Sequence, residues 1–135
     1  MTTIPDPVEL TQTLIRMNTI NPPGNEEPAA RYLGDLLAKA GLEVSYPRLG
    51  ENSTGLIARI SGRSSKLPLV FTGHLDTVTV GDAPWDSPPH GAKIKNGRLI
   101  GRGASDMKSG VAAMAVTALH LADKPKGQGG VVFIF

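Results

Sequence analysis

Residues Val70–Asp82 read VFTGHLDTVTVGD, an apolar run that closes on Gly73-His74-Leu75-Asp76-Thr77. Leu69, Val70 and Phe71 are apolar at successive positions rather than at alternate ones. That pattern belongs to a strand covered on both faces, as in the parallel sheets of α/β domains. It predicts a strand over 67–73 that ends on a histidine and an aspartate two residues apart. If the chain is still extended there, both side chains leave the same face. Two readings are open at this point. The pair is a polar strand end, with Asp76 making an Asx turn. Or it is half of a metal site, with a neutral imidazole as ligand and a carboxylate that orients it through its other N–H.

The flanking elements set the fold class. DPVELTQTLIRM (6–17) predicts a helix: Asp6 can cap it, Pro7 suits its first position, and Leu10, Leu14 and Met17 share a face. A second helix is expected from Asn25 as cap. Its stripe is Ala29, Leu33, Leu36, Leu37 and Ala40, and Gly41 closes it. Alternating segments at 42–47 and 54–61 read as strands. Residues 81–92 read as a proline-rich loop around Trp85. Asn96-Gly97 predicts a hairpin turn inside AKIKNGRLIGRG. A third helix starts near Ser105–Lys108, with Val111, Met114, Ala115, Ala118, Leu119 and Ala122 as its apolar face. VVFIF (131–135) is a further strand, apolar throughout, and therefore expected in the interior of a sheet. Alternating helices and strands make the class α/β with a mixed sheet.

Composition narrows the functional classes. The chain has 135 residues, enough for one domain with a substantial core. Its 16 Gly and 11 Pro, about a fifth of the chain, indicate many turns without reaching the level of disorder. The net charge of +2 is scattered and aromatic residues are few, so no nucleic-acid partner is expected. The absence of cysteine excludes disulfides and thiolate metal ligands within the chain. MTTIPDPVEL does not read as a secretory leader, and no apolar run approaches the roughly 18–20 residues of a membrane span. A cytoplasmic setting, with no membrane partner, is the expectation.

A second candidate lies in GRGASDMKSG (101–110). Two glycines permit unusual backbone angles or close approach, and Asp106 stands at the strand-to-helix junction. Asp106 is either a second carboxylate of a site or, like Ser105, merely the helix cap. Ser105 and Lys108 also match S-x-x-K, a serine–lysine acyl-enzyme arrangement, although the K-T-G partner is absent. A phosphate loop is excluded, because Met107 stands where G-x-x-x-x-G-K-[ST] requires glycine. His90 and His120 read as loop and solvent-facing residues. Trp85 either lines a cleft or seats a loop on the core.

Taken together, GHLDTV, the Trp85 loop and GRGASDMKSG about thirty residues later, with NTINPPGNE near the start, resemble a known family. It is the zinc-dependent deacylase and exopeptidase family of acetylornithine deacetylase, succinyl-diaminopimelate desuccinylase, aminoacylase and glutamate carboxypeptidase. The resemblance spans 1–135. It implies a three-layer, mixed-sheet α/β metallohydrolase catalytic domain, here incomplete, with 1–135 as its N-terminal part, truncated after the strand at 131–135, and its lid domain absent. It implies that His74 ligates one zinc, Asp76 holds His74 in position for catalysis, and Asp106 bridges two zinc ions, with a cis peptide between Asp106 and Met107. Cobalt or manganese suit the same N/O ligands.

The implied reaction is removal of the acyl group of an N-acyl amino acid, or cleavage of a small peptide. Paired metals would polarise the carbonyl and acidify a water, and a glutamate would act as base. That glutamate, the remaining ligands and the lid that makes the parent a homodimer are expected beyond Phe135. The 135 residues alone are therefore expected to be inactive, with an exposed VVFIF edge. Thr79 and Ser87–His90 depart from the family's usual proline and Pro-Phe, in the loop rather than at the ligands. The alternative is a non-catalytic α/β binding or regulatory domain on the same scaffold.

Overall fold

The computed structural model describes residues 3–135. Of the N-terminal stretch read above for a leader, Met1 and Thr2 lie outside the described residues. Nine regular elements follow in order: α1 (Pro7–Arg16), α2 (Glu27–Lys39), β1 (Glu43–Ser45), β2 (Ile57–Ile60), β3 (Leu69–Thr72), β4 (Lys93–Lys95), β5 (Arg98–Ile100), α3 (Ser109–Ala122) and β6 (Val131–Ile134).

Local chemistry explains the helix ends. The Asp6 carboxylate accepts from the amides of Val8 (2.8 Å) and Glu9 (3.1 Å), and Pro7 opens α1. At the end of α2, Gly41 adopts φ +90°. Its N–H donates to Ala38 O, and the Leu42 N–H donates to Leu37 O. This pair of bonds satisfies the last carbonyls of the helix. The start of α2 differs from expectation. Asn25 does not cap it; its amide donates to the Asn18 carbonyl instead. Glu26 occupies the cap position with its side chain buried, its Oε1 accepting from Asn21 Nδ2.

Four strands form one sheet in the order β1-β2-β6-β3. β1–β2 and β2–β6 are antiparallel, and β6–β3 is parallel. The expectation of a mixed α/β sheet holds. β6 sits inside the sheet, as its uniform apolarity requires, so the idea that VVFIF presents an open edge is corrected. The outer strands are β1 and β3.

One face carries Ala58, Ile60, Val131, Phe133, Leu69 and Phe71 by register. The Phe71 and Phe133 rings stack there at 5.2 Å. The same core cluster takes Leu10 and Leu14 of α1, Leu33 and Leu37 of α2, and Val111, Ala115 and Leu119 of α3. All three helices among the described residues thus cover one face of the sheet. The described residues make two layers of the mixed-sheet α/β domain expected.

β3 corrects a second expectation. Its apolar run is not covered on both faces: Leu69 is 60% and Val70 50% exposed. A run of apolar side chains reports what a strand can bury, not what is present to bury it. Here Val70 lies on the face without helices, and no described strand pairs with the outer edge of β3.

The β4–β5 hairpin turns at Asn96 (φ 53°) and Gly97 (φ 72°), left-handed angles that suit a type I′ turn. Beyond β5, the two glycines of Gly101-Arg102-Gly103 have separate reasons. A Cβ on Gly101 would lie 2.5 Å from Ile15 Cγ2 of α1. Gly103 has φ +81°, and its Cβ would lie 2.6 Å from Thr77 Cγ2. Gly41→Ala, which meets only backbone strain, should cost about 1 kcal/mol. Gly103→Ala, which adds a collision with a buried side chain, should cost about 2–3 kcal/mol. Urea unfolding of the two variants measures the difference; equal losses would show that the Thr77 contact yields without penalty.

Candidate metal-binding site

Strand β3 delivers His74 to its carboxyl end, where the Gly73 N–H still donates to Ile134 O of β6. The chain then runs beside residues 19–21. Thr77 N–H donates to Thr19 O, Asn21 N–H donates to Thr77 O, and the buried Thr19 hydroxyl donates to the Leu75 carbonyl at 2.7 Å. NTIN, read above only as part of a resemblance, therefore pairs with the GHLDT segment through an isolated parallel bridge at Ile20 and Thr77.

Asp106 arrives by a different route. The segment Ala104–Lys108 is irregular: Asp106 (φ −126°, ψ 96°) and Met107 (φ −137°, ψ 39°) are not helical, and their peptide bond is cis. The helix proper begins at Ser109, and no side chain of the segment caps it. The reading of Asp106 as a helix cap is thereby excluded. The cis bond agrees with the family resemblance.

The two segments meet. His74 Nε2 lies 3.0 Å from Asp106 Oδ1. His74 Nδ1 faces Asp76, at 3.0 Å from its carbonyl oxygen and 3.2 Å from its Oδ1. Asp76 therefore meets the ring by main chain and side chain together, and Nδ1 must carry the proton because both partners accept. That leaves Nε2 for a metal or a second proton. The site is open: the His74 side chain is 42% and the Asp106 side chain 87% exposed.

Burial lowers the His74 pKa, but the hydrogen bond to Asp106, the Asp76 carbonyl and the two carboxylates outweigh it. The net shift is upward from the ordinary histidine value. The site thus stabilises the imidazolium relative to a free histidine.

Met107, next to Asp106 in the same segment, brings its Sδ and Cε against Gly73, where a Cβ would lie 3.3 and 3.0 Å away. Lys108 turns the other way. It is 2% exposed and donates from Nζ to Leu14 O (2.8 Å) and Met17 O (2.7 Å) at the end of α1. Burial pushes its pKa down to about 8. Ser105 is exposed. Lys108 is therefore committed to the α1 carbonyls, and the serine–lysine arrangement has no base to offer. Sequence reasoning missed this lysine as an anchor because S-x-x-K spacing says nothing about which way the side chain turns.

The other candidates lie elsewhere. His90 Nδ1 donates to Ile15 O and His120 is exposed on α3. Trp85 donates from Nε1 to Val80 O, and its ring lies 5.2 Å from the Arg102 guanidinium. It borders a cleft of about 740 Å³ with Lys95, Arg98 and Ile100, which does not include His74 or Asp106.

The donor set fits zinc in kind, one imidazole nitrogen and one carboxylate, with a second carboxylate behind the ring. It falls short in number: no cluster of three or more His, Cys, Asp or Glu able to hold a metal occurs among the described residues.

The chain is similar to several known proteins. Residues 70–135 match the model of Peptidase family M20/M25/M40. The succinyl-diaminopimelate desuccinylase of Roseobacter denitrificans is 38% identical over 128 residues, covering 94% of this chain and 33% of the relative. That of Paracoccus denitrificans is 40% identical over 134 residues, 98% of this chain and 34% of the relative. An M20 family metallo-carboxypeptidase from Sulfolobus solfataricus superposes with a TM-score of 0.79 at 24% identity, covering 96% of this chain and 30% of that one. Human carnosine dipeptidase 1 superposes at 0.72 and 22%, covering 95% and 31%. These structures share the fold. The chain spans about a third of the length of the curated relatives it matches. The family resemblance read from the two motifs holds.

Two outcomes follow from the electrostatics. Metal must displace the proton on Nε2, so zinc affinity should rise with pH through the raised pKa of His74 and flatten above it. His74→Ala should abolish that dependence in a titration against a chromophoric chelator. Lys108→Met should lose about 2 kcal/mol in urea, because the Met17 carbonyl loses the Nζ donor and the Leu14 carbonyl keeps only the Met17 N–H. Its folded pKa lies below its unfolded one, so the unfolded chain holds the extra proton between about pH 8 and 10.5. Stability of the parent relative to Lys108→Met should rise across that window.

Proposed function

We propose that the chain is the N-terminal part, truncated after the strand at 131–135, of the catalytic domain of a two-metal amidohydrolase. Its substrate class is N-acyl amino acids or small peptides. The curated relatives named as desuccinylases favour an N-succinylated diamino acid within that class. The observation that carries the reading is the approach of His74 Nε2 to Asp106 Oδ1 at 3.0 Å, with Asp76 behind the ring.

In this reading His74 and Asp106 are ligands of a zinc pair, with cobalt or manganese as substitutes. Bound there, the ions would polarise the scissile carbonyl and make a water acidic enough to attack near neutral pH. The chain's own residues do the positioning. The Asp76 carbonyl and carboxylate keep the proton on Nδ1 of His74, so that Nε2 presents a lone pair. The Asp106 carboxylate contributes oxygen ligands from the facing segment. The residue that accepts the proton of the attacking water lies outside 1–135, as do the further ligands and the lid through which the parent would pair as a homodimer. The setting is cytoplasmic. No helix among the described residues is long and apolar enough to cross a membrane.

The test uses two proteins. The 135-residue chain should bind zinc weakly and hydrolyse neither N-succinyl-L,L-diaminopimelate nor N-acetyl-ornithine. The product of the reading frame continued past Phe135 should hydrolyse an N-acyl amino acid, and lose activity by about 10³-fold or more on His74→Ala. A continued frame that carries no further acidic or histidine ligand and has no hydrolase activity would favour a binding or regulatory domain instead.

A further inference from the structure

We propose that Thr19 is a positioning residue of the metal site: its hydroxyl, by donating to the Leu75 carbonyl, holds His74 and Asp76 in register with Asp106. The proposal rests on the reading of His74 and Asp106 as ligands.

The two ligand-bearing segments are tied to the same stretch of chain. On the Asp106 side, Lys108 donates to Leu14 O and Met17 O. On the His74 side, Thr19 donates to Leu75 O at 2.7 Å, in the residue between His74 and Asp76. The backbone pairing of Thr77 with Thr19 and Asn21 continues the same seam. Residues 14–21 therefore form a bracket that touches both segments, and the Thr19 hydroxyl is its side-chain bond to the histidine side. Thr19 is fully buried, so water cannot replace that bond. Loss of the donor leaves the Leu75 carbonyl unpartnered inside the protein, and the segment can regain a partner only by moving. Any such movement changes the separation between Nε2 and Oδ1, the quantity on which shared ligation depends.

Groups behind a ligand commonly influence affinity by about 10–100-fold. The test compares Thr19→Val, which keeps the shape and removes the hydroxyl, with Thr19→Ser, which keeps the hydroxyl. Val111→Ala, a core side chain of α3 that makes no hydrogen bond to the bracket, supplies a loss of stability that leaves the Thr19 hydroxyl bond in place. Zinc affinity is read by competition with a chromophoric chelator, beside urea unfolding of each chain. In the metal-free chain, the nuclear Overhauser contact between His74 Hε1 and the Asp106 Hβ protons reads the approach directly.

Thr19→Val should weaken zinc binding by about tenfold or more and lose the Overhauser contact. Thr19→Ser and Val111→Ala should stay within about threefold of the parent and keep it. Should the valine chain fail to fold, Thr19→Ala against Thr19→Ser reads the same hydroxyl. Parental affinity in Thr19→Val, or a fall in Val111→Ala in step with it, would overturn the proposal. A parent chain that binds no zinc would defeat the metal reading instead. The metal-free contact then decides: retention in Thr19→Val overturns the positioning role, and loss with rescue by serine upholds it.

Discussion

The approach of the His74 ring to the Asp106 carboxylate, at 3.0 Å, is the constraint around which the rest of the structure is arranged. An imidazole lone pair and a carboxylate repel unless a proton or a metal lies between them. Two chain segments about thirty residues apart do not keep such groups together by chance contact. The parallel pairing of β3 with β6 fixes where His74 leaves the sheet, and the turn at Asp106–Met107 aims the carboxylate back toward it. The end of α1 and residues 17–21 then tie both segments to one another.

Small residues make this proximity feasible. Gly73 leaves room for Met107, Gly101 for Ile15 and Gly103 for Thr77. Each faces a side chain from a segment remote in sequence, so the glycines serve contact between segments as much as local turn geometry. Lys108 shows the same economy. Its ammonium is buried against the end of α1, where the Leu14 and Met17 carbonyls both accept from it.

Much of this was legible in the sequence, and the reasons are specific. The helices at 7–16 and 27–39, the Asn96-Gly97 turn and the Gly41 cap follow from periodicity and from residues whose chemistry allows few conformations. The residues His74, Asp76 and Asp106 were legible as candidates, although neither motif alone separated a site from a turn or a cap. What the sequence could not convey were long-range partners. The Thr19 bond spans 56 positions and the Lys108 bonds more than 90, and no periodicity reports them. Burial of β3 was misread for a related reason: the apolar run of Leu69 and Val70 signals an affinity for cover, and the described residues leave both side chains half exposed or more. Glu26 escaped as well, since a glutamate at a helix start ordinarily faces solvent and here it is buried.

The account stands on His74 and Asp106 acting as ligands of one site. X-ray absorption at the zinc edge of the zinc-loaded chain tests this most directly. The account predicts imidazole scattering with a nitrogen at about 2.0–2.1 Å, lost in His74→Ala and altered in Asp106→Asn. An all-oxygen shell in the parent chain, or a spectrum indifferent to both substitutions, would contradict it.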